Sequence, residues 1–198
     1  MEPQKQDVKN LAAVEKQVNV NNLTGNINFS NLTRLGQRFK RLKEEVDLDI
    51  RYNGFIEAFH KYDTQLDGRS MPEKLRDGGF TEKDISRATY RKHLYVKKLE
   101  KSRLYETAQL IDLDIFAIIN SYFEVYIEPL IEANTETATI KQHVLERIVN
   151  PILHLINQDG QDDALLNYSI DDIYGMIFFL TGKCHLNWAD YDNIQPGI

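Results

Sequence analysis

Five histidines, one cysteine and 30 acidic residues are the groups in this chain that could ligate a metal or move a proton. The histidines are His60, His93, His143, His154 and His185. No two stand four apart, the spacing that sets paired imidazoles on one face of a helix. Cys184 and His185 are adjacent. A thiolate and an imidazole can share a zinc ion or act as nucleophile and base, but neighbouring side chains diverge and no third ligand stands close by. Cys184 therefore reads as a small buried hydrophobe and His185 as a packing or hydrogen-bonding residue. The acids fall in pairs such as Glu44-Glu45, Asp162-Asp163 and Asp171-Asp172. A catalytic carboxylate needs a desolvated setting or a charged neighbour, and the sequence shows neither. Asp171-Asp172 reads as helix N-terminal charge, and Asp162-Asp163 lacks the alternating ligands of a calcium loop. There is no Gly-Lys-Ser/Thr phosphate loop and no serine in a nucleophile elbow. The expectation is a chain without catalytic residues, metal ligands or cofactor, and not an enzyme.

Charge is the stronger signal. Residues 82–103 hold 8 bases and 3 acids, whereas residues 104–198 hold 3 bases and 15 acids, in a chain whose net charge is −6. Lys83, Arg87 and Arg91 follow one helical row, and Lys97 and Lys101 another. Such a stripe could track phosphates, with Tyr90 and Tyr95 available for stacking. The plainer alternative is a solvated face, or a surface that docks onto acids, including the chain's own acidic half.

The elements that must carry these groups follow from periodicity. A chain of 198 residues, 42% hydrophobic, suits one domain or a domain with an appendage and buries roughly 70% of its unfolded surface. A single cysteine excludes an internal disulfide. The opening Met1 to Asp7 lacks the apolar core of a secretory signal, and no apolar run reaches about 18 residues. A soluble, cytoplasmic protein is expected.

Residues 1–16 read as a tail. Across 17–30, Val18, Val20, Ile27 and Phe29 alternate with asparagines around Thr24-Gly25-Asn26, which predicts a β-hairpin that needs a neighbour to pack on. Leu32, Leu35, Phe39, Leu42, Val46 and Ile50 predict helix within 31–64, and the glycines at 68, 78 and 79 predict a loop with one helical turn. Thr81, with Asp84 three residues on, caps a long helix. From 104 to 131 apolar residues occupy nearly every face, as in a helix enclosed on most sides. A further helix carries Pro151, which predicts a kink at Asn150-Pro151, and Ser169 to Asp172 cap a last helix that stops at Thr181-Gly182. The predicted fold is mainly α, a bundle of four to five helices across 31–190 with a small N-terminal hairpin, closing in a tail at 191–198.

Several stretches taken together carry a resemblance. They are Arg51 to Tyr62, the Pro-Glu-Lys-Leu run at 72–75, Leu104 to Ile111, Ile148 to Ile152, and Asp172 to Trp188. The last, with Gly175 and with Thr181, Gly182, Cys184, His185 and Trp188 in a Thr-Gly-x-Cys-His-x-x-Trp ending, is the most specific. Together they resemble the C-terminal domains of ABC-three-component systems, Lamassu-like prokaryotic defence modules built around an SMC-like ABC ATPase, a middle component and an effector. The resemblance implies a domain that ties an effector to its partners. No nuclease or hydrolase motif stands upstream of Arg51, so the effector is expected to be a separate protein, or the chain an assembly piece.

The expected function is a non-catalytic interaction module coupling an effector to the ATPase in antiviral defence, with homo-oligomerisation open and no membrane contact. Its contacts are expected at Val18, Val20, Ile27, Phe29, Phe116, Tyr122, Phe123 and Trp188, where apolar surface could exceed what one fold hides. The alternative is a nucleic-acid-binding subunit using Lys83, Arg87, Arg91, Lys97 and Lys101.

Overall fold

Glu106–Tyr126 is a 21-residue helix, α5, whose apolar side chains point in nearly every direction, so it must be enclosed. The computed structural model, which describes residues 32–64 and 68–191, shows how. Ala108, Ile111, Ile115, Phe116, Ile119 and Phe123 are fully buried. Around α5 pack α1 (Arg34–Asp47), α2 (Glu57–Asp63), α6 (Glu128–Glu132) and α9 (Ile170–Gly182). The remaining elements are α3 (Met71–Asp77), α4 (Glu82–Ser102), α7 (Thr137–His143) and α8 (Asn150–Asp159), the last two joined by a π-helical segment, Val144–Val149. Among the described residues there is no strand. The fold is mainly helical, as the periodicity predicts; the hairpin expected at 17–30, with Val18, Val20, Ile27 and Phe29, lies outside the described residues.

The helices are more numerous than the four or five expected. The stretch read as helix across 31–64 is two helices, α1 and α2. Between them Asp49 and Gly54 take positive φ of 49° and 88°, which a helix cannot continue. Buried Gln109 of α5 holds this connector: its amide donates to the carbonyls of Gly54 (3.0 Å) and Arg103 (2.8 Å) and accepts from the Ile56 N–H (2.8 Å). The segment expected to hold one helical turn is α3, opened by Ser70, whose N–H donates to Glu73 at 2.7 Å. Pro72 is tolerated there because the first turn's N–H groups lack intrahelical acceptors.

Two long-range contacts set the helix ends. Glu45, buried on α1, accepts from the Thr107 N–H at 3.1 Å and from its hydroxyl at 2.5 Å, placing a carboxylate at the otherwise uncapped N-terminus of α5. The kink expected at Asn150-Pro151 takes the form of the π segment. The Asn150 N–H donates five residues back, to Leu145, a widening that accommodates the proline ring. The capping boxes at Thr81/Asp84 and Ser169/Asp172 are both formed.

Helix α4 packs most extensively on α9. Its inner row is Ile85, Ala88, Tyr95 and Leu99, all buried. Gly175 makes the close approach possible: a Cβ there would lie 2.6 Å from the Arg91 carbonyl oxygen and 2.6 Å from Tyr95 Cβ.

Candidate functional site

The Thr-Gly-x-Cys-His-x-x-Trp stretch is where the sequence looks most chemical, and the structure places it in the packing. Cys184 is buried with φ of 69°, and its Sγ lies 3.8 Å from the Arg69 carbonyl. His185 packs against the Tyr62 ring, centroids 5.1 Å apart. Burial lowers its pKa, against backbone hydrogen bonds to Tyr62 and Lys61 that raise it. No group of three metal-ligating side chains occurs among the described residues. Gly182 passes over Lys92, where a Cβ would meet Nζ at 2.6 Å. Asn187 accepts from buried Lys74 at 2.7 Å, fastening the exit of α9 to α3.

A second polar cluster lies deeper. Asp112 of α5 is fully buried; the Tyr168 hydroxyl donates to its Oδ1, while Oδ2 and the nearby Tyr95 hydroxyl have no hydrogen-bond partner among the described residues. Desolvation pushes the Asp112 carboxyl up to about 7, against the lowering effect of Tyr168, Tyr95 and Lys98. Lys98 reaches over the Tyr168 ring and pairs with Asp172 at 2.7 Å. This cluster is enclosed by α4, α5 and the start of α9, and it orders the core rather than facing a ligand.

The outer face of α4 is different. Lys83, Arg87, Tyr90, Leu94, Lys97 and Lys101 stand alternately four and three apart, the spacing of a continuous seam along a helix. All six are exposed, Tyr90 by 64% and Leu94 by 37%. The face thus presents two apolar side chains between two pairs of cations. The expected basic rows are split by the tertiary structure. Arg91 turns inward to Asp171 (2.8 Å) and stacks over Tyr174 (4.4 Å), so it belongs to the α4–α9 junction. Lys83, Arg87, Lys97 and Lys101 remain outward. The docking of this basic helix on the chain's own acids, one of the sequence alternatives, holds for Arg91 and Lys98.

Of the residues expected to meet a partner, Phe116, Phe123 and Trp188 lie inside the chain, each no more than 3% exposed, and Tyr122 is half-buried against the core. The expectation is corrected at Phe116, Phe123 and Trp188, which their own chain covers; the exposed apolar side chains of α5 are Val125 (58%) and Tyr126 (41%). Leu94 is not among the residues the sequence singles out, although it stands four residues from Tyr90, one helical turn along the same face.

A family model described as C-terminal domain 9 of the ABC-three component (ABC-3C) systems matches residues 70–188, more than half of the chain and the whole span from α3 to Trp188. No curated protein and no solved structure matches. No helix among the described residues is long and apolar enough to cross a membrane.

Proposed function

The chain belongs to the C-terminal domain 9 family of ABC-three-component systems, and from that premise we propose that it is a protein-interaction and assembly module of a cytoplasmic anti-phage complex. In this reading it couples an effector to an SMC-like ABC ATPase and carries out no chemistry itself. The observation that supports it is the outer face of α4, where Tyr90 and Leu94 stand exposed between Lys83, Arg87, Lys97 and Lys101. Two adjacent apolar groups ringed by cations suit a partner helix with an apolar centre and acidic flanks, where the centre supplies affinity and the charges supply register and rate.

The test is co-expression of the full chain with the ATPase and effector of an ABC-three-component system from the same source. The complex is expected to co-purify, and Tyr90→Glu with Leu94→Glu is expected to lose capture while unfolding at the wild-type temperature. A full chain that captures neither component, or a double variant that captures both as well as wild type, overturns the reading.

The four outward cations also favour a second reading, a nucleic-acid-binding subunit tracking phosphates along 83–101. Two features weigh against it: the apolar pair at the centre of the face, and the net charge of −6. Salt-sensitive retardation of duplex DNA, abolished by Arg87→Glu with Lys97→Glu, would support it; no retardation at low salt removes it.

A further inference from the structure

Beside the outer face of α4 a cleft opens between α4, α7 and α9, with a cavity volume of about 200 Å³. Its apolar lining includes Phe80, Val144, Phe178 and Trp188, each at most 9% exposed. Its polar edge is Arg87, Arg91 and Lys141, with Asp84 and Tyr174. Two of these cations are already committed. Arg91 pairs with Asp171 at 2.8 Å and Lys141 with Asp84 at 2.9 Å. Arg87, one turn from Arg91 on α4, is exposed and has no ion pair among the described residues.

We propose that this cleft is a binding site for one large apolar side chain, flanked in sequence by a carboxylate, on a partner polypeptide. The inference rests on the interaction reading above and names the anchor that the partner would supply. Size argues first: small-molecule and cofactor sites span about 300–1,000 Å³, whereas this volume suits a single aromatic or large aliphatic group, the kind of anchor that dominates protein interfaces. Charge argues second. One uncommitted arginine at the edge matches one carboxylate, and its fork can take both carboxylate oxygens. A nucleotide or other polyphosphate would bring several negative charges toward Asp84 and Asp171. Position argues third, because Arg87 belongs both to the cleft and to the exposed face of α4, so one partner segment can cover the seam and seat a side chain beside it. Every residue lining the cleft also falls within the stretch matched by the family model.

Trp188 is the single tryptophan of the chain, so its indole N–H resonance and its fluorescence report this cleft directly. The probes are short acetylated and amidated peptides containing Asp-Phe, Lys-Phe or Asp-Ala, titrated into the full-length protein to millimolar concentration, with ADP as a fourth ligand. The Asp-Phe peptide is expected to shift the Trp188 indole resonance saturably, and the Lys-Phe and Asp-Ala peptides to bind more weakly. Arg87→Glu, a change at an exposed side chain, is expected to weaken the Asp-Phe peptide about tenfold, the loss of one charge-assisted hydrogen bond. Ala88→Leu, which fills the cleft from α4, is expected to weaken both aromatic peptides; its thermal unfolding is the check on folding. The proposal is overturned by an unmoved indole, by equal binding of Lys-Phe and Asp-Phe, or by ADP as the tightest ligand. If the peptides fail while Tyr90→Glu with Leu94→Glu still abolishes partner capture, the cleft is discarded and the interaction reading stands. If the Asp-Phe peptide binds while no partner is captured, the reverse holds.

Discussion

The indole N–H of Trp188 donates to Thr181 Oγ1 at 3.0 Å, and both residues are buried. The same hydroxyl donates to the Ile177 carbonyl at 2.9 Å, so the exit loop is folded back onto the last turn of α9. Phe80 and Phe123 meet the indole edge-on, with centroids 5.0 Å away in each case. The stretch with the most specific family resemblance is thus a clasp between α9, α3 and α5, and the wall of the α4–α9 cleft.

Thr181→Val keeps the shape of the side chain and removes the acceptor, leaving a buried indole N–H unsatisfied. Stability is expected to fall by about 1–3 kcal/mol. Urea unfolding followed by Trp188 fluorescence measures it, and a variant as stable as wild type would show that the hydrogen bond does not hold the clasp.

Gly175→Ala would place a methyl group 2.6 Å from the Arg91 carbonyl oxygen, inside van der Waals contact with a backbone atom that cannot swing away. Overpacking of this kind costs about 1–3 kcal/mol. A control is Gly68→Ala, where a Cβ meets nothing within 4 Å and the change should stay within about 0.5 kcal/mol. Equal melting temperatures for the two variants would contradict the close approach of α4 and α9.

Burial raises the Asp112 carboxyl from its ordinary 3.8 to about 7. The folded chain therefore holds a proton that the unfolded chain releases between those values, and folding stability from this group declines as pH rises through that window. The loss is on the order of a few kcal/mol, complete above the folded pKa. Asp112→Asn, neutral at every pH, should flatten the decline, as read from urea midpoints between acidic and mildly alkaline pH. An unchanged slope in the variant would place the titration elsewhere. Glu73, whose pKa is lowered by its capping hydrogen bonds with Ser70, and Asp84, lowered first by the hydrogen bond from Lys141 and then by Thr81, act in the opposite sense and only in the acid range.

Lys97→Glu with Lys101→Glu reverses two outward charges of α4 that make no ion pair among the described residues. Stability should move by no more than about 0.5 kcal/mol. Association with an acidic partner helix should slow about tenfold at low salt and less as ionic strength rises. Association kinetics over a salt series give both quantities; an unaffected rate would separate this end of α4 from the interface.

Much of the fold was legible because its signals are local. Thr81 with Asp84 and Ser169 with Asp172 act within three residues of sequence, so the pattern and the physical contact are nearly the same thing. Pro151 disturbs the turn that contains it, and the helix widens there. The greasy run of α5 could only be a core. The cap at Ser70 and Glu73 is equally local, but the glycines at 68, 78 and 79 predict a loop with one helical turn where α3 runs for 7 residues.

What the tertiary structure decided is which face is covered. Helical periodicity puts Arg87 and Arg91 in one row, but only the position of α9 turns Arg91 to Asp171 and leaves Arg87 outward. Phe116, Phe123 and Trp188 are apolar by sequence, but whether they meet a partner or their own chain depends on α2, α4 and α9 closing over Phe116 and on Phe80, Phe123 and Trp188 packing on one another. Gln109 holds the connector before α2 by reaching back 55 residues to Gly54, and no window of sequence contains both. By itself the sequence determined helices, caps and charge, since each depends on neighbours within a turn or two; the exposed seam and the cleft depend on how helices far apart in the chain pack together, and that arrangement exists only in the assembled fold.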